Sequence, residues 1–376
     1  MNRLNRGEFL KVGLLALTAG LINRKAYSNG IVSQDKGKGV KTPMIHATDL
    51  YHIHNDPDDH WDLATIYALG YSEAVDLLGI LFDYPTRPGL GDPDVMGVAQ
   101  MNYYTGLVVP SVVGTPYEMT KRDDTQSQRS KIELQGVNWL LETLRKSASP
   151  VVINIVGGAT NVAVAIKMNP ALFKKKCKAI YLNAGSANSM TDKKLEYNVK
   201  LNPLGYAAIF DAPCPVYWMP CMTRTNVMEV GEYGTYYRFL QKEILPDLPE
   251  KLQNFFLFMF GQKKSHEWFT YLNGKPEQEL LTQYSNAIRH MWCTAGFIHA
   301  AGNKVTSEGD IVPASSASAS VFSFLPVNVG CNDLGFADWK FANNSRNRFI
   351  FHVNDLANYQ KAMTIAMKKI LLQLPK

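Results

Sequence analysis

Residues 44–69, MIHATDLYHIHNDPDDHWDLATIYAL, hold five carboxylates, Asp49, Asp56, Asp58, Asp59 and Asp62, with His52, His54 and His60 set among them. That much like charge around one turn is unfavourable unless a positive group neutralises it. A helix N-terminus supplies a fraction of a charge. A hard divalent cation supplies more, and Ca²⁺ takes about six to eight oxygen ligands. The plain alternative is an acidic N-cap region, since Asp is favoured in a first helical turn. The acids follow an apolar strand, Met44 to Thr48, and precede a helix with Leu63, Ile66, Tyr67 and Leu69 on one face. Ligands of α/β folds bind at the carboxyl ends of strands, which favours a site here. Pro57 fixes φ at the strand-to-helix junction.

Three further groups could do chemistry. Thr160 and Asn161 end Gly157-Gly158-Ala159-Thr160-Asn161, which follows the apolar run Val151 to Val156; they are a ligand-facing turn or a helix cap. Glu196 and Asn198 stand two apart on a segment read as extended, so they point to one side and can grip two hydroxyls, or they form an exposed strand edge. His290 opens an apolar helix running to about Ala300 and is either a pocket acid or a core histidine.

The elements that must position these groups alternate. Continuous apolar strands at residues 76–82, 108–113, 151–156, 178–183 and 214–219 are separated by helical patterns at 95–105, 132–146 and 162–168. That rhythm predicts βαβ units: an α/β fold with a mostly parallel open sheet flanked by helices. Residues 232–290 break it with aromatics at helical spacing, a helical cap insertion packed on the sheet or a lid stacking a planar ligand. Strands around a turn at 332–335 and a closing helix, Tyr359 to Leu374, end the chain.

The sequence runs to 376 residues with 46% hydrophobic and 19% charged content, enough for a sizeable core. Net charge is +6, but the basic residues are scattered and make no stripe with aromatics, which argues against nucleic acid as partner. Five cysteines show no CxxC spacing, so zinc and redox motifs are unsupported; one bridge, Cys214 to Cys221, is left open. Residues 1–30 read as an export signal: Arg3 and Arg6, a short apolar core from Val12 to Ile22, and Ala26-Tyr27-Ser28 as a small-x-small cleavage site. The run is too short for a stable membrane anchor. The mature protein is therefore expected in the periplasm or outside the cell. Residues 31–42 read as a flexible tether and 43–376 as a single domain, with a homo-oligomer left open.

Four landmarks in order, the acidic loop, Gly157-Gly158-Ala159-Thr160-Asn161, Glu196-Tyr197-Asn198-Val199-Lys200-Leu201-Asn202-Pro203 and Cys214-Pro215-Val216-Tyr217-Trp218-Met219-Pro220, resemble the inosine–uridine-preferring nucleoside hydrolase family over about residues 43–372. The resemblance implies a Ca²⁺ at the bottom of a pocket and hydrolysis of the N-glycosidic bond of ribonucleosides. The family's first loop reads Asp-x-Asp-Pro-Gly-x-Asp-Asp. Here Asn55-Asp56-Pro57-Asp58-Asp59 is closer to the Asn-Glu-Pro-Asp-Asp variant of nucleoside-hydrolase-like, sugar-associated proteins. Asp49 takes the strand-end Asp if three residues are inserted near 51–53; in a second register the motif ends on Asp62. By resemblance Asp58 holds ribose hydroxyls, Asp59 chelates the metal with the Thr160 carbonyl, and Glu196 and Asn198 bind the sugar. The family's late His-Asp pair falls on His290-Met291, and Met is a poor calcium ligand.

N-glycosidic cleavage passes through an oxocarbenium-like state and needs a metal-activated water, tight hydroxyl contacts and help for the leaving base. Asp56 is the candidate base, with His54 as the other; Asp49, Asp59, Asp62 and Thr160 are the candidate metal ligands, and Asp58, Asn161, Glu196, Asn198 and His290 the candidate substrate contacts. The partner expected is a small nucleoside or sugar. The competing reading is a divergent relative with a degenerate metal site that binds carbohydrate or cleaves another glycoside.

Overall fold

Apolar runs bounded by glycine and proline turns become the strands of one large sheet. The computed structural model describes residues 41–52, 57–84, 92–343 and 347–376; the leader, Asp56 and His54 lie outside them. Six strands run parallel: β1 (Thr42–Thr48), β2 (Val75–Phe82), β3 (Ser111–Val113), β4 (Val151–Ile155), β5 (Cys177–Asn183) and β6 (Val216–Met219). Three more complete the far edge: β7 (Phe322–Cys331), β8 (Ala337–Phe341) and β9 (Arg348–Val353). Of these β9 pairs parallel with β6, while β7 is antiparallel to both β8 and β9. The nine-stranded order is β8-β7-β9-β6-β5-β4-β1-β2-β3. The sheet is thus mostly parallel, as the sequence predicts. Strand order reverses between β1 and β4, so their carboxyl ends open a crevice, the position at which doubly wound folds take ligands.

Helices cover both faces. Along β1, Met44 joins a core with α1 (Pro57–Tyr71), whereas Ile45 and Ala47 join a second core with α3 (Gln135–Lys146) and α4 (Thr160–Met168). Helix α2 (Val95–Thr105) ends on Gly106 at φ 71°, a left-handed cap that glycine adopts without strain. Helix α1 departs from the one-faced expectation: every residue from Asp59 to Leu69 is buried. The reason is the 232–290 region. Its helix α5 (Glu250–Phe260) closes over α1, with Trp61 stacked on Phe256 at 4.2 Å and 18°. The aromatics Phe255, Phe256 and Phe258 are core, each at most 1% exposed, so this region packs as an insertion. It is not wholly helical, because Tyr237–Leu240 and Ile288–Met291 form an antiparallel pair at its ends.

That pair corrects one expectation. His290 and Met291 belong to a strand, and helix α6 (Thr294–Ala300) starts only after Cys293. Strand pairing with Tyr237–Leu240 wins over the helical spacing, and it turns Met291 into the core. Strand β3 is also shorter than expected, because Pro110 has no amide to donate to the ladder. The closing helix is Tyr359–Leu371. Among the described residues no helix is long and apolar enough to cross a membrane, and all five cysteines are free.

Candidate active site

A cavity of about 380 Å³ opens at the crevice, within the roughly 300–1,000 Å³ range of small-molecule sites. Asp49, directly after β1, lines it together with Asp58 and Asp59 from the first turn of α1. Glu196 and Asn198 reach it from the segment after β5, and Trp292 and Cys293 from the turn before α6. Residues more than two hundred apart in sequence, from Asp49 to Cys293, are therefore gathered by the sheet's topology rather than by local spacing.

Asp59 and Glu196 accept hydrogen bonds, and Asp49 is closely packed. Thr48 Oγ1 donates to Asp59 Oδ2. Asp59 is 3% exposed, and its pKa is pushed well above the carboxylate range, first by burial and then by the charges of Asp49, Asp62 and Asp58, with the Thr48 hydrogen bond pulling the other way. Asp49 packs so tightly on the β4 exit that a Cβ on Gly157 would lie 2.5 Å from its Oδ1; glycine is required there for close approach. Glu196 is not on an extended segment. It is the N-cap of a short helix, Tyr197–Leu201, with Asn198 in the first turn, because Glu196 Oε1 accepts the Asn198 amide at 3.0 Å. Its Oε2 accepts the Gly185 amide at 2.8 Å. Burial raises the Glu196 pKa, and these backbone bonds partly offset it. Asn198 Nδ2 donates to the Val156 carbonyl at 2.9 Å and the Asn183 carbonyl at 3.2 Å.

Four candidates stand elsewhere. Asp62 is 0% exposed and does not line the cavity; it lies beneath, beside the Cys293 thiol, and burial raises its pKa strongly. That thiol donates to Asn183 Oδ1 at 2.9 Å, which makes this layer the floor of the site. Thr160 and Asn161 line a smaller niche with Asp83 and Thr115. Both side chains are engaged: Asn161 Nδ2 donates to Asp83 Oδ1 and its Oδ1 accepts the Thr115 amide, each at 2.8 Å, while Thr160 Oγ1 accepts from Asn202 at 3.0 Å. The residue of the β4 exit that lines the cavity is Val156. His290 is half-buried outside the wall, its Nδ1 2.8 Å from the Tyr236 hydroxyl. Burial, then Arg289 and Arg238, lower its pKa, while the charge of Asp58 on the cavity wall acts to raise it. His60 is buried with Nε2 3.1 Å from Asp94 Oδ2.

Asp83 is the residue that sequence reasoning missed. It follows β2 directly, as Asp49 follows β1, and that repeated strand-end acid was the available signal. Its amide donates to the Thr48 carbonyl at 2.9 Å. Burial raises its pKa to about 7 against the hydrogen bonds from Gly158 and Asn161.

The donor set suits a hard cation. Asp49 and Asp59 offer carboxylate oxygens at one cavity, and the charge of Asp49 raises the proton affinity of Asp59, a repulsion that a divalent ion relieves. Among the described residues no group of three or more His, Cys, Asp or Glu is arranged to hold a metal ion. The described carboxylates that face such an ion at the cavity are those of Asp49, Asp58 and Asp59.

A family model for inosine-uridine preferring nucleoside hydrolase matches residues 53–272. No curated protein sequence matches the chain. Among solved structures, the plant nucleoside hydrolase PpNRh1 superposes with a TM-score of 0.53 at 13% identity, covering 88% of this chain and 99% of its own. The effector protein XOO4466 gives 0.51 at 11% identity, covering 88% and 94%. At such identities these two structures speak for the fold alone.

Proposed function

The chain belongs to the inosine–uridine-preferring nucleoside hydrolase family, and from that premise we propose that it hydrolyses the N-glycosidic bond of a ribonucleoside or related N-riboside in a cavity that holds one Ca²⁺. The observation that carries this reading is the convergence of Asp49, Asp58 and Asp59 with Glu196 and Asn198 on one cavity of about 380 Å³.

Asp49 and Asp59 would hold the ion, which when bound acidifies a water and orients it. The remaining work falls to the chain. A carboxylate of the acidic turn, Asp49 on the wall or Asp56 in the loop beyond the described residues with His54 as the other candidate, takes the proton of the attacking water. Glu196, with both oxygens fixed by backbone amides, and Asn198, tied to two carbonyls, grip sugar hydroxyls without reorganising. Asp58 is a third hydroxyl contact.

One observation favours the competing reading of carbohydrate binding without turnover. Met291, where the resemblance places a metal-binding acid, is 0% exposed in the core. Calorimetry with Ca²⁺ on the wild type and on Asp59→Ala, beside a base-release assay over purine and pyrimidine nucleosides, tests both. Heat that is lost in the variant, with release of base, supports the hydrolase; neither heat nor release sinks it. We also propose that the leader exports the protein to the periplasm or beyond.

A further inference from the structure

We infer that Cys177 and Cys214 are a disulfide-forming pair, and that oxidation of these two thiols cross-links the amino-terminal ends of β5 and β6. Strand register brings them together. β5 and β6 are parallel neighbours, with Ile180 opposite Val216. Two places back from Val216 stands Cys214, on the same face. Two places back from Ile180 stands Lys178, but the ladder slips there: against β4, Val151 faces Cys177 and Val152 faces Ala179. Lys178 is the extra residue of a bulge and is exposed. A bulge re-aims the side chains beside it. Cys177 therefore takes the place opposite Cys214 and turns to the same face. Both side chains belong to the core that Ile180 and Val216 share.

Neighbouring strands lie about 4.8 Å apart, and a disulfide spans Cα separations of about 4.4–6.8 Å. The Cys177 thiol is already hydrogen-bonded to the Cys214 sulfur. That bond lowers the Cys214 pKa against burial, with help from the Arg348 guanidinium, whereas burial raises that of Cys177. Cys221, the partner that the sequence left open for Cys214, lines the cavity beyond the far end of β6, about 20 Å along the extended chain and too far to bridge. The co-reactant is a disulfide oxidant such as oxidised glutathione. The Cys214 thiolate attacks one sulfur of the oxidant and expels a thiolate. Cys177 gives up its proton and attacks the Cys214 sulfur of the mixed disulfide, expelling the second. The protein loses two electrons and two protons, and the oxidant leaves as two thiols. Cys177 is 5% and Cys214 2% exposed, so the exchange belongs to the stage before the core closes. Export, proposed above from the leader, would bring the folding chain into a compartment where such bridges persist.

The test refolds the full chain from urea in a buffer of reduced and oxidised glutathione, blocks the remaining thiols with iodoacetamide in urea, and maps the peptides without reductant. The expected result is one linked pair of peptides carrying Cys177 and Cys214, with Cys221, Cys293 and Cys331 alkylated. The oxidised chain is expected to melt about 3–5 °C above the same chain kept in reductant, since the bridge closes a loop of about 37 residues in the unfolded state. Cys177→Ser and Cys214→Ser should each lose the linked peptides and the reductant-sensitive gain, while Cys331→Ser keeps both. If either serine variant fails to fold, the wild-type map decides alone. Recovery of Cys177 and Cys214 in alkylated form would overturn the inference. So would a bridge from either of them to Cys221, Cys293 or Cys331.

Discussion

Replacing Gly157 by alanine would put a methyl group 2.5 Å from Asp49 Oδ1 and 2.6 Å from the Asp49 amide nitrogen. Ordinary contact begins at 3.4 Å, so the carboxylate must retreat by roughly 0.9 Å, and a displacement of about 1 Å at a reacting group costs on the order of 10²-fold in rate. Overpacking of this kind costs about 1–3 kcal/mol of stability. With unfolding entropy near 2.1 cal/mol/K per residue, that is a Tm loss of about 1–4 °C in a fold of this length. The assay is thermal melting beside kcat/KM on whichever riboside is turned over, with Gly158→Ala as the comparison. There the new Cβ meets Asp83 Oδ2 at 2.8 Å and not Asp49, so the expected loss in rate is smaller. A Gly157→Ala enzyme within threefold of wild type would refute the claim that Asp49 must sit against the β4 exit.

The Asp83 carboxyl has its pKa raised by burial from 3.8 to about 7, so its contribution to stability is present below the unfolded value and lost as pH rises through the folded one. Asp83→Asn should therefore gain about 2–3 kcal/mol more at pH 8 than at pH 5, read by urea unfolding; equal effects at both would count against it. Glu196→Gln keeps the shape but surrenders one backbone-bound oxygen, and loss of one charge-assisted bond of about 1.5–3 kcal/mol should lower kcat/KM by roughly 10–100-fold. An unchanged value would place Glu196 outside the chemistry. Trp61→Ala removes the ring stacked on Phe256 at 4.2 Å and should cost about 3–5 kcal/mol by urea unfolding; a loss under about 1 kcal/mol would mean the insertion does not brace α1. N-terminal sequencing of the exported protein is expected to begin at Asn29, and retention of Met1 would contradict the leader.

The parallel sheet was legible because strands such as Val151–Ile155 are buried on both faces and read as unbroken apolar runs. The gathering of Asp49, Asp58 and Asp59 on one cavity was legible because like charges packed around one turn call for a neutralising group. Placement within the site was not. Asp62 and Asp59 stand three apart on one helix, and only the packing of α1 under α5 decides that Asp59 lines the cavity while Asp62 is its floor. Glu196 looked extended because its own side chain, capping the following helix, is a contact that periodicity does not encode. His290 looked helical for the converse reason: its partner strand lies about fifty residues upstream. Asp83 escaped notice because a single acid after an apolar run gives no pattern until β1 and β2 are seen side by side.

The reversal of strand order between β1 and β4 has a consequence for synthesis. One bank of the crevice is made early in translation, and its last stones, Trp292 and Cys293, arrive more than two hundred residues later. Closing so long a span precedes any reward from the contacts it brings. A nascent chain or a fragment cut before Trp292 should therefore be inert, and competence should switch on only when nearly the whole chain has been made.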